Sequence, residues 1–177
     1  MKTIIALLSV AAIAIAALVY GVGVSNTEHR LHNRFTAQEG QMKIAFNQAF
    51  TILKQQAGVT EEYKEAFKSI FTGVADARYS GEKGQALMKL IHESNPSFDV
   101  SLFKTLMRSI EAQWTNFNRE QTIALSIQQE HNNLLDNAPS SFIVGGRPRL
   151  AVQLVTSTAT ENAFTTGKND DLDLFRR

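Results

Sequence analysis

Three residues that follow the first apolar segment have side chains able to bind a metal ion. Glu28 precedes His29, and His32 lies three positions further along. Histidines three apart share one face of a helix, and imidazole and carboxylate groups are common zinc ligands. The sequence assigns no further ligand, and the alternative is a solvated helix just outside a membrane. The prediction is therefore no bound metal and no cofactor.

Other ionisable residues fall on one long predicted helix in the second half of the chain. His131 lies on the apolar seam of this helix, where a hydrogen-bonded core histidine is more common than a catalyst. Glu111 and Glu120 lie on the same helix, and Arg119 adjoins Glu120. In a bundle these carboxylates would be solvated or form a polar layer that fixes register. Paired carboxylates for hydrolysis would need a cleft, which nothing in the sequence indicates.

No motif for nucleotide binding or hydrolysis is present in the sequence. The two Gly-Lys pairs do not fit the phosphate-binding loop pattern and are interpreted as turns. Arg147 and Arg149 flank Pro148, and they would contact lipid phosphates if this segment folded back to a membrane; the alternative is a solvated loop. The chain is therefore predicted not to be an enzyme.

Composition narrows the classes of function further. The 177 residues are enough for one domain with a core, and the absence of cysteine excludes disulfides, thiol catalysis and thiolate metal sites. The net charge of +1 balances 18 basic against 17 acidic residues. Such a balance provides no broad basic field, so nucleic acid is not a predicted partner.

The first segment is predicted to be a membrane anchor. Residues 3–27 carry no charge, and the apolar part, 4–24, is about as long as the roughly 20 residues that cross a bilayer as a helix. Cleavage of a signal peptide after Ala16 is the alternative, although it would leave an apolar start to the mature chain. The localisation predicted is a single-pass protein of a bacterial-type inner membrane, with the lipid bilayer as a partner. The anchor residues are Ile4, Leu7, Leu8, Val10, Ile13, Ile15, Leu18, Val19 and Tyr20.

The polar part of the chain has the periodicity of helices. One apolar stripe runs from Leu31 to Leu53 at spacings of three, four and seven, and Gly58 is a good helix stop. Thr60 is a good start for the next helix, and Ser97 for a long helix that runs to about Asn137. The fold predicted is all-α: an N-terminal transmembrane helix, an elongated antiparallel up-and-down helical bundle, and an extended C-terminal strap and tail. The corresponding segments are 1–25, 26–138 and 139–177.

The long helix also carries apolar residues beside its seam. Met107 and Trp114 lie seven apart, and Ile123 continues an apolar band. If these side chains form a second, exposed row, they mark a subunit contact and predict a homo-oligomer. The alternative is that Met107 and Trp114 widen the internal stripe of a monomer.

The order of several sequence features resembles the LemA family of bacterial single-pass membrane proteins. An apolar anchor precedes "VADAR", the long helix "IEAQWTNFNREQTIALSIQQEHNNLLDNAPSSFIV" follows, and "GGRPRL" and "DLDLF" close the chain. The first polar helix departs from the family pattern, because "QMKIAFNQAFTIL" stands where the family usually has a basic pair and Leu-x-Pro-Asn. The chain therefore resembles a divergent member. The resemblance implies a helical bundle, membrane attachment and no established enzymatic activity.

Together these features predict a membrane-anchored helical bundle with a structural or interaction role. It would hold or assemble something at a membrane, through self-association or through a protein partner that the sequence does not identify. The alternative is an exported, soluble helical protein that binds a ligand after its signal peptide is cleaved.

Overall fold

Every regular element in the described part of the chain is helical. The computed structural model describes residues 1–71 and 82–155, and of Glu82 and Lys83 it describes the backbone alone. No strand occurs within these ranges, so the predicted all-α class is confirmed. The helices are α1 (Lys2–Ala57), α2 (Lys64–Phe71), α3 (Glu82–Ser94), α4 (Phe103–Asp136) and α5 (Ser141–Val144), with short 3-10 turns at Glu61–Tyr63 and Val100–Leu102.

Helix α1 contains no proline and ends where the sequence predicts. Gly58 has a φ of +68°, a conformation that glycine adopts without a steric penalty. Its N–H donates to the Lys54 carbonyl at 3.0 Å, and the Asn95 side-chain amide donates to the Ala57 carbonyl at 3.0 Å. These two bonds satisfy carbonyl groups that the last turn of a helix leaves without a partner.

The apolar start of α1 is long enough and apolar enough to cross a membrane, and it is the one such helix found among the described residues. None of this apolar stretch is buried in the structure. A soluble core helix passes the same test of length and composition, but it is normally buried. A signal sequence also passes the test.

The chain forms two compact units. Among the described residues, unit 1 comprises 1–40 and 120–152, and unit 2 comprises 41–71, 82–119 and 153–155. Helices α1 and α4 each contribute to both units. Within unit 1 these helices are antiparallel, because Gln38 bonds to Glu120 whereas the earlier Glu28 bonds to the later His131. The three segments predicted from the sequence are each continuous in the chain, whereas each of the two units combines stretches that are distant in the sequence.

The core of unit 2 contains a cluster of aromatic rings. Phe71 lies at its centre, with ring centroids 5.1 Å from Trp114 and 5.8 Å from Phe117, both edge to face. Phe46 and Phe67 also pack against Phe71, with centroid distances of 5.5 and 5.6 Å. Edge-to-face pairs of this kind are favourable beyond their burial.

The predicted exposed row on α4 is not found. Met107 is 0% exposed and Trp114 is 5% exposed, so these side chains widen the internal stripe, as the alternative stated. The reason is that other side chains cover α4 over a wider part of its surface than a single row of residues. Phe71, for example, packs against Trp114. Ile123 is 39% exposed. Self-association of the chain stays a prediction, but Met107 and Trp114 are not available to mediate it in this fold.

Of the two predicted helix starts, the one at Ser97 is wrong, whereas Thr60 is the N-cap residue before the turn Glu61–Tyr63 but lacks a capping bond from its side chain. The turn that leads into α4 is capped by Asp99, whose carboxylate accepts from the Ser101 N–H at 2.9 Å, rather than by Ser97. This bond holds the pKa of Asp99 below its usual value. The Thr60 hydroxyl donates to the Glu62 carboxylate at 2.8 Å and caps no backbone group.

The predicted C-terminal strap is extended only in part. After α4, the Ser140 hydroxyl lies 2.7 Å from the carbonyl oxygens of Leu134 and Asn137, and residues 141–144 then form α5 instead of extended chain. From Gly145 to residue 155, the last described residue, the chain is non-helical and runs back along α4, where the Val152 N–H donates to the Gln128 side chain at 2.6 Å. The predicted flexible tail, from Thr165, lies outside the described residues.

We expect the change Phe71→Ala to destabilise the protein by about 3–5 kcal/mol, because it opens a cavity among the rings of unit 2. The matched control is Phe142→Ala, since Phe142 is 86% exposed and its truncation creates no cavity. Thermal unfolding of the detergent-solubilised protein measures both. Equal shifts in the two variants would show that the aromatic cluster is wrongly assigned.

Candidate functional site

A buried carboxylate lies on the apolar face of α1. Glu28 is 4% exposed, and the same face carries Val24, Leu31 and Phe35, all of which are buried. The spacings of three and four place these four side chains on one stripe. A buried carboxylate is stable only when hydrogen bonds and opposite charge compensate for the lost hydration.

Arg147 supplies the opposite charge. Its Nη1 donates to Glu28 Oε2 in a short contact, and its Nη2 donates to the Ser25 hydroxyl at 2.7 Å. A turn in which the Arg147 N–H bonds to the Val144 carbonyl at 2.9 Å directs the chain back towards α1 after α5. Gly145 makes this path possible, because a Cβ there would lie 3.1 Å from the Leu135 carbonyl oxygen and 2.5 Å from that of Ser141.

His131 of α4 completes the set of partners. Its side chain is fully buried, and Nε2 lies 3.1 Å from Glu28 Oε1. Its Nδ1 lies 3.3 Å from Asn132 Oδ1. Asn132 also bonds to the backbone of Leu150, because its Nδ2 donates to the carbonyl at 3.1 Å and its Oδ1 accepts from the N–H at 3.2 Å. We call Ser25, Glu28, His131, Asn132 and Arg147 the Glu28 cluster.

The Glu28 cluster joins three parts of unit 1. Ser25 and Glu28 come from α1, His131 and Asn132 from α4, and Arg147 from the chain after α5. Beside it lies a small apolar cluster of Val24, Leu135 and Val144. Charged hydrogen bonds are stronger than neutral ones, and a buried pair that loses one partner leaves an unpaired charge. The cluster can therefore fix how these three segments pack.

The structure also brings His131, a third side chain with a ligand atom that can bind metal, close to Glu28 and His32. One ligand atom from each of Glu28, His32 and His131 lies within 4.8 Å of the others. The sequence singles out His29 and His32, with Glu28 adjacent, and assigns no ligand from elsewhere, because His131 is distant in the chain. His29 has a largely exposed side chain, and its Nδ1 lies 3.8 Å from Glu28 Oε2, so it is not part of this set.

The other polar residues singled out in the sequence lie outside the Glu28 cluster. Glu120 accepts from the Gln38 amide at 2.5 Å, which forms a polar contact between α1 and α4. Glu111 belongs to unit 2 and is half-buried. Arg149 pairs with Asp136 at the surface in a short contact. Both arginines of the predicted contact with lipid phosphates therefore bond to carboxylates.

Comparison with known proteins finds no match. No family model, no curated protein and no solved structure matches the chain.

We expect Arg147→Gln to destabilise the protein by about 2–3 kcal/mol, because it leaves the buried Glu28 carboxylate without its cation. This range allows for the partial exposure of Arg147. Arg149→Gln is the matched control, since its ion pair with Asp136 is exposed and should contribute less than about 1 kcal/mol. Urea unfolding in detergent measures both changes, and equal effects would contradict the assigned role of Arg147.

Proposed function

We propose that the protein is a single-pass membrane protein of LemA type that holds or assembles a partner at the membrane and catalyses no reaction. The apolar segment of α1 anchors the chain, and the helical body carries the interaction. The resemblance to the LemA family rests on the order of sequence features alone.

The observation that supports this proposal most strongly is the exposure of the apolar part of α1. Ile4, Leu8, Ile15 and Leu18 are each more than 60% exposed, and no charged residue interrupts the stretch. The same helix then continues into the buried stripe of Val24 and Leu31. Large exposed apolar surfaces are unfavourable in water, and a bilayer removes this cost.

A second exposed apolar feature lies beside the end of this segment. Phe142 and Ile143 of α5 are 86% and 42% exposed. The Ile143 Cδ1 atom lies 3.9 Å from the position that a Cβ would occupy on Gly21. In a membrane, α5 would therefore lie near the interface at the end of the anchor. Tyr20 of α1 lies close in sequence to Gly21, and tyrosine is common at this level of a membrane.

Self-association is part of the proposal, and the anchor is its most suitable surface. Small residues let transmembrane helices approach closely, and the anchor is rich in them. The plane of the membrane also raises the effective concentration of the chains. The small residues are Ala11, Ala12, Ala14, Ala16, Ala17, Gly21 and Gly23.

Single-cysteine spin labels test the proposal, because the chain has no cysteine of its own. In lipid vesicles, we expect a label at Ala14→Cys to be accessible to oxygen, which concentrates in hydrocarbon, and protected from a water-soluble nickel chelate. A label at Phe142→Cys should be intermediate, and one at Ser126→Cys should have the accessibility of a residue in water.

Equal accessibility at positions 14 and 126, or an intact mass that lacks the first residues, would contradict the anchor and favour the exported, cleaved protein. The same Ala14→Cys sample tests self-association separately. Dipolar broadening that decreases on dilution with unlabelled chain supports an oligomer, and a spectrum without broadening contradicts it.

A further inference from the structure

We infer that Glu28, His32 and His131 bind one divalent transition-metal ion of the zinc, nickel or copper class. The inference concerns unit 1 alone and does not depend on the proposed membrane function. It rests on the arrangement of the three ligand atoms, on the hydrogen-bond partners of His131 and on the support of the Glu28 carboxylate.

The helices α1 and α4 bring the side chains of Glu28, His32 and His131 close together. Glu28 and His32 are four apart on α1, so they lie one turn apart on the same side of the helix. His131 faces them from α4, with its ring centroid 6.4 Å from that of His32. In a tetrahedral site with bonds of about 2.1 Å, ligand atoms are about 3.4 Å apart. Glu28 Oε1 and His131 Nε2, at 3.1 Å, already have nearly this separation.

His32 is the ligand that has to adjust. The three ligand atoms lie within 4.8 Å of one another, which is wider than a tetrahedral site needs. His32 is exposed, and its imidazole forms no hydrogen bond among those found in the described residues, so a rotamer change can close this gap at low cost. Its exposure also leaves a coordination position open to water.

The hydrogen bonds of His131 favour a cation at Nε2. The two bonds to Leu150 fix the orientation of the Asn132 amide, so that Oδ1 faces His131 Nδ1 and requires a proton there. Nε2 then faces a carboxylate oxygen. A neutral imidazole would direct a lone pair at this oxygen, which is unfavourable. Either a second proton or a metal ion between Nε2 and Glu28 Oε1 removes the repulsion, and the two compete for the same place.

The neighbours of the site resemble the supporting groups of metal centres. Ligating carboxylates and histidines usually have their remaining atoms held by hydrogen bonds. Here Arg147 holds the second oxygen of Glu28, and Asn132 holds the second nitrogen of His131. Two imidazoles suit zinc, nickel and copper, whereas magnesium and calcium require oxygen ligands. The positive charge of Arg147 further disfavours a hard cation bound mainly by charge.

Metal competition against a chromophoric chelator tests the site on the full-length protein, purified in detergent without a histidine tag. We expect one zinc or nickel ion per chain and no competition by magnesium. His32→Ala should weaken zinc binding at least tenfold, since it removes one of three protein ligands. The matched control is His29→Ala, which removes an exposed histidine from the same helix and should leave the affinity unchanged.

The unfolding temperature without metal separates binding from folding. His32 is exposed, so His32→Ala should leave this temperature unchanged, whereas added zinc should raise that of the parent and not that of His32→Ala. When copper(II) is bound in place of zinc, the electron paramagnetic resonance spectrum should show hyperfine splitting from the nitrogens of two imidazoles. No binding at one ion per chain, or equal loss of affinity in His29→Ala and His32→Ala, would overturn the assignment.

Discussion

Burial of the Glu28 carboxylate is the constraint on which the rest of unit 1 depends. The residue lies on the apolar stripe of α1, where a carboxylate without partners would not be tolerated. His131 reaches it from α4, but a cation is also required, and Arg147 can provide one only if the chain turns back after α4. The Ser140 hydroxyl bonds, the turn of α5 and the absence of a side chain at Gly145 together produce that return.

The two units differ in their buried polar contacts. In unit 2, the rings of Phe71 and Trp114 and their neighbours pack together in the core. In unit 1, buried apolar residues such as Leu31, Phe35 and Ile127 also pack together, and the polar bonds of the Glu28 cluster are added to them. Apolar packing tolerates many substitutions that keep the volume of the side chain. A buried ion pair tolerates few, because the loss of one partner leaves the charge of the other without compensation. Substitutions in the Glu28 cluster, just after the exposed apolar part of α1, should therefore be tolerated least.

The fold could be predicted from local sequence patterns, but the site could not. Periodic apolar residues indicate α1 and α4, and Gly58 marks the end of α1. These signals can be recognised in the sequence because each involves only residues that are close together in the chain. Glu28 bonds to residues that lie 103 and 119 positions away, and no local pattern reports such a pairing. One signal was present: the stripe that contains Leu31 extends back through Glu28 to Val24, which places a carboxylate on a buried face. The burial of Met107 and Trp114 was not predictable for a related reason, since the width of a buried stripe depends on how many neighbours a helix contacts.

A double-mutant cycle between Glu28 and Arg147 tests the central claim most directly. The variants are Glu28→Gln, Arg147→Met and the two combined, and the measured quantity is the free energy of unfolding of each relative to the parent protein. If Arg147 compensates for the buried Glu28 charge, the double variant should be more stable than the sum of the single changes predicts, with a coupling energy of about 1–3 kcal/mol. Additive effects would show that the two side chains do not depend on each other and would contradict this account of unit 1.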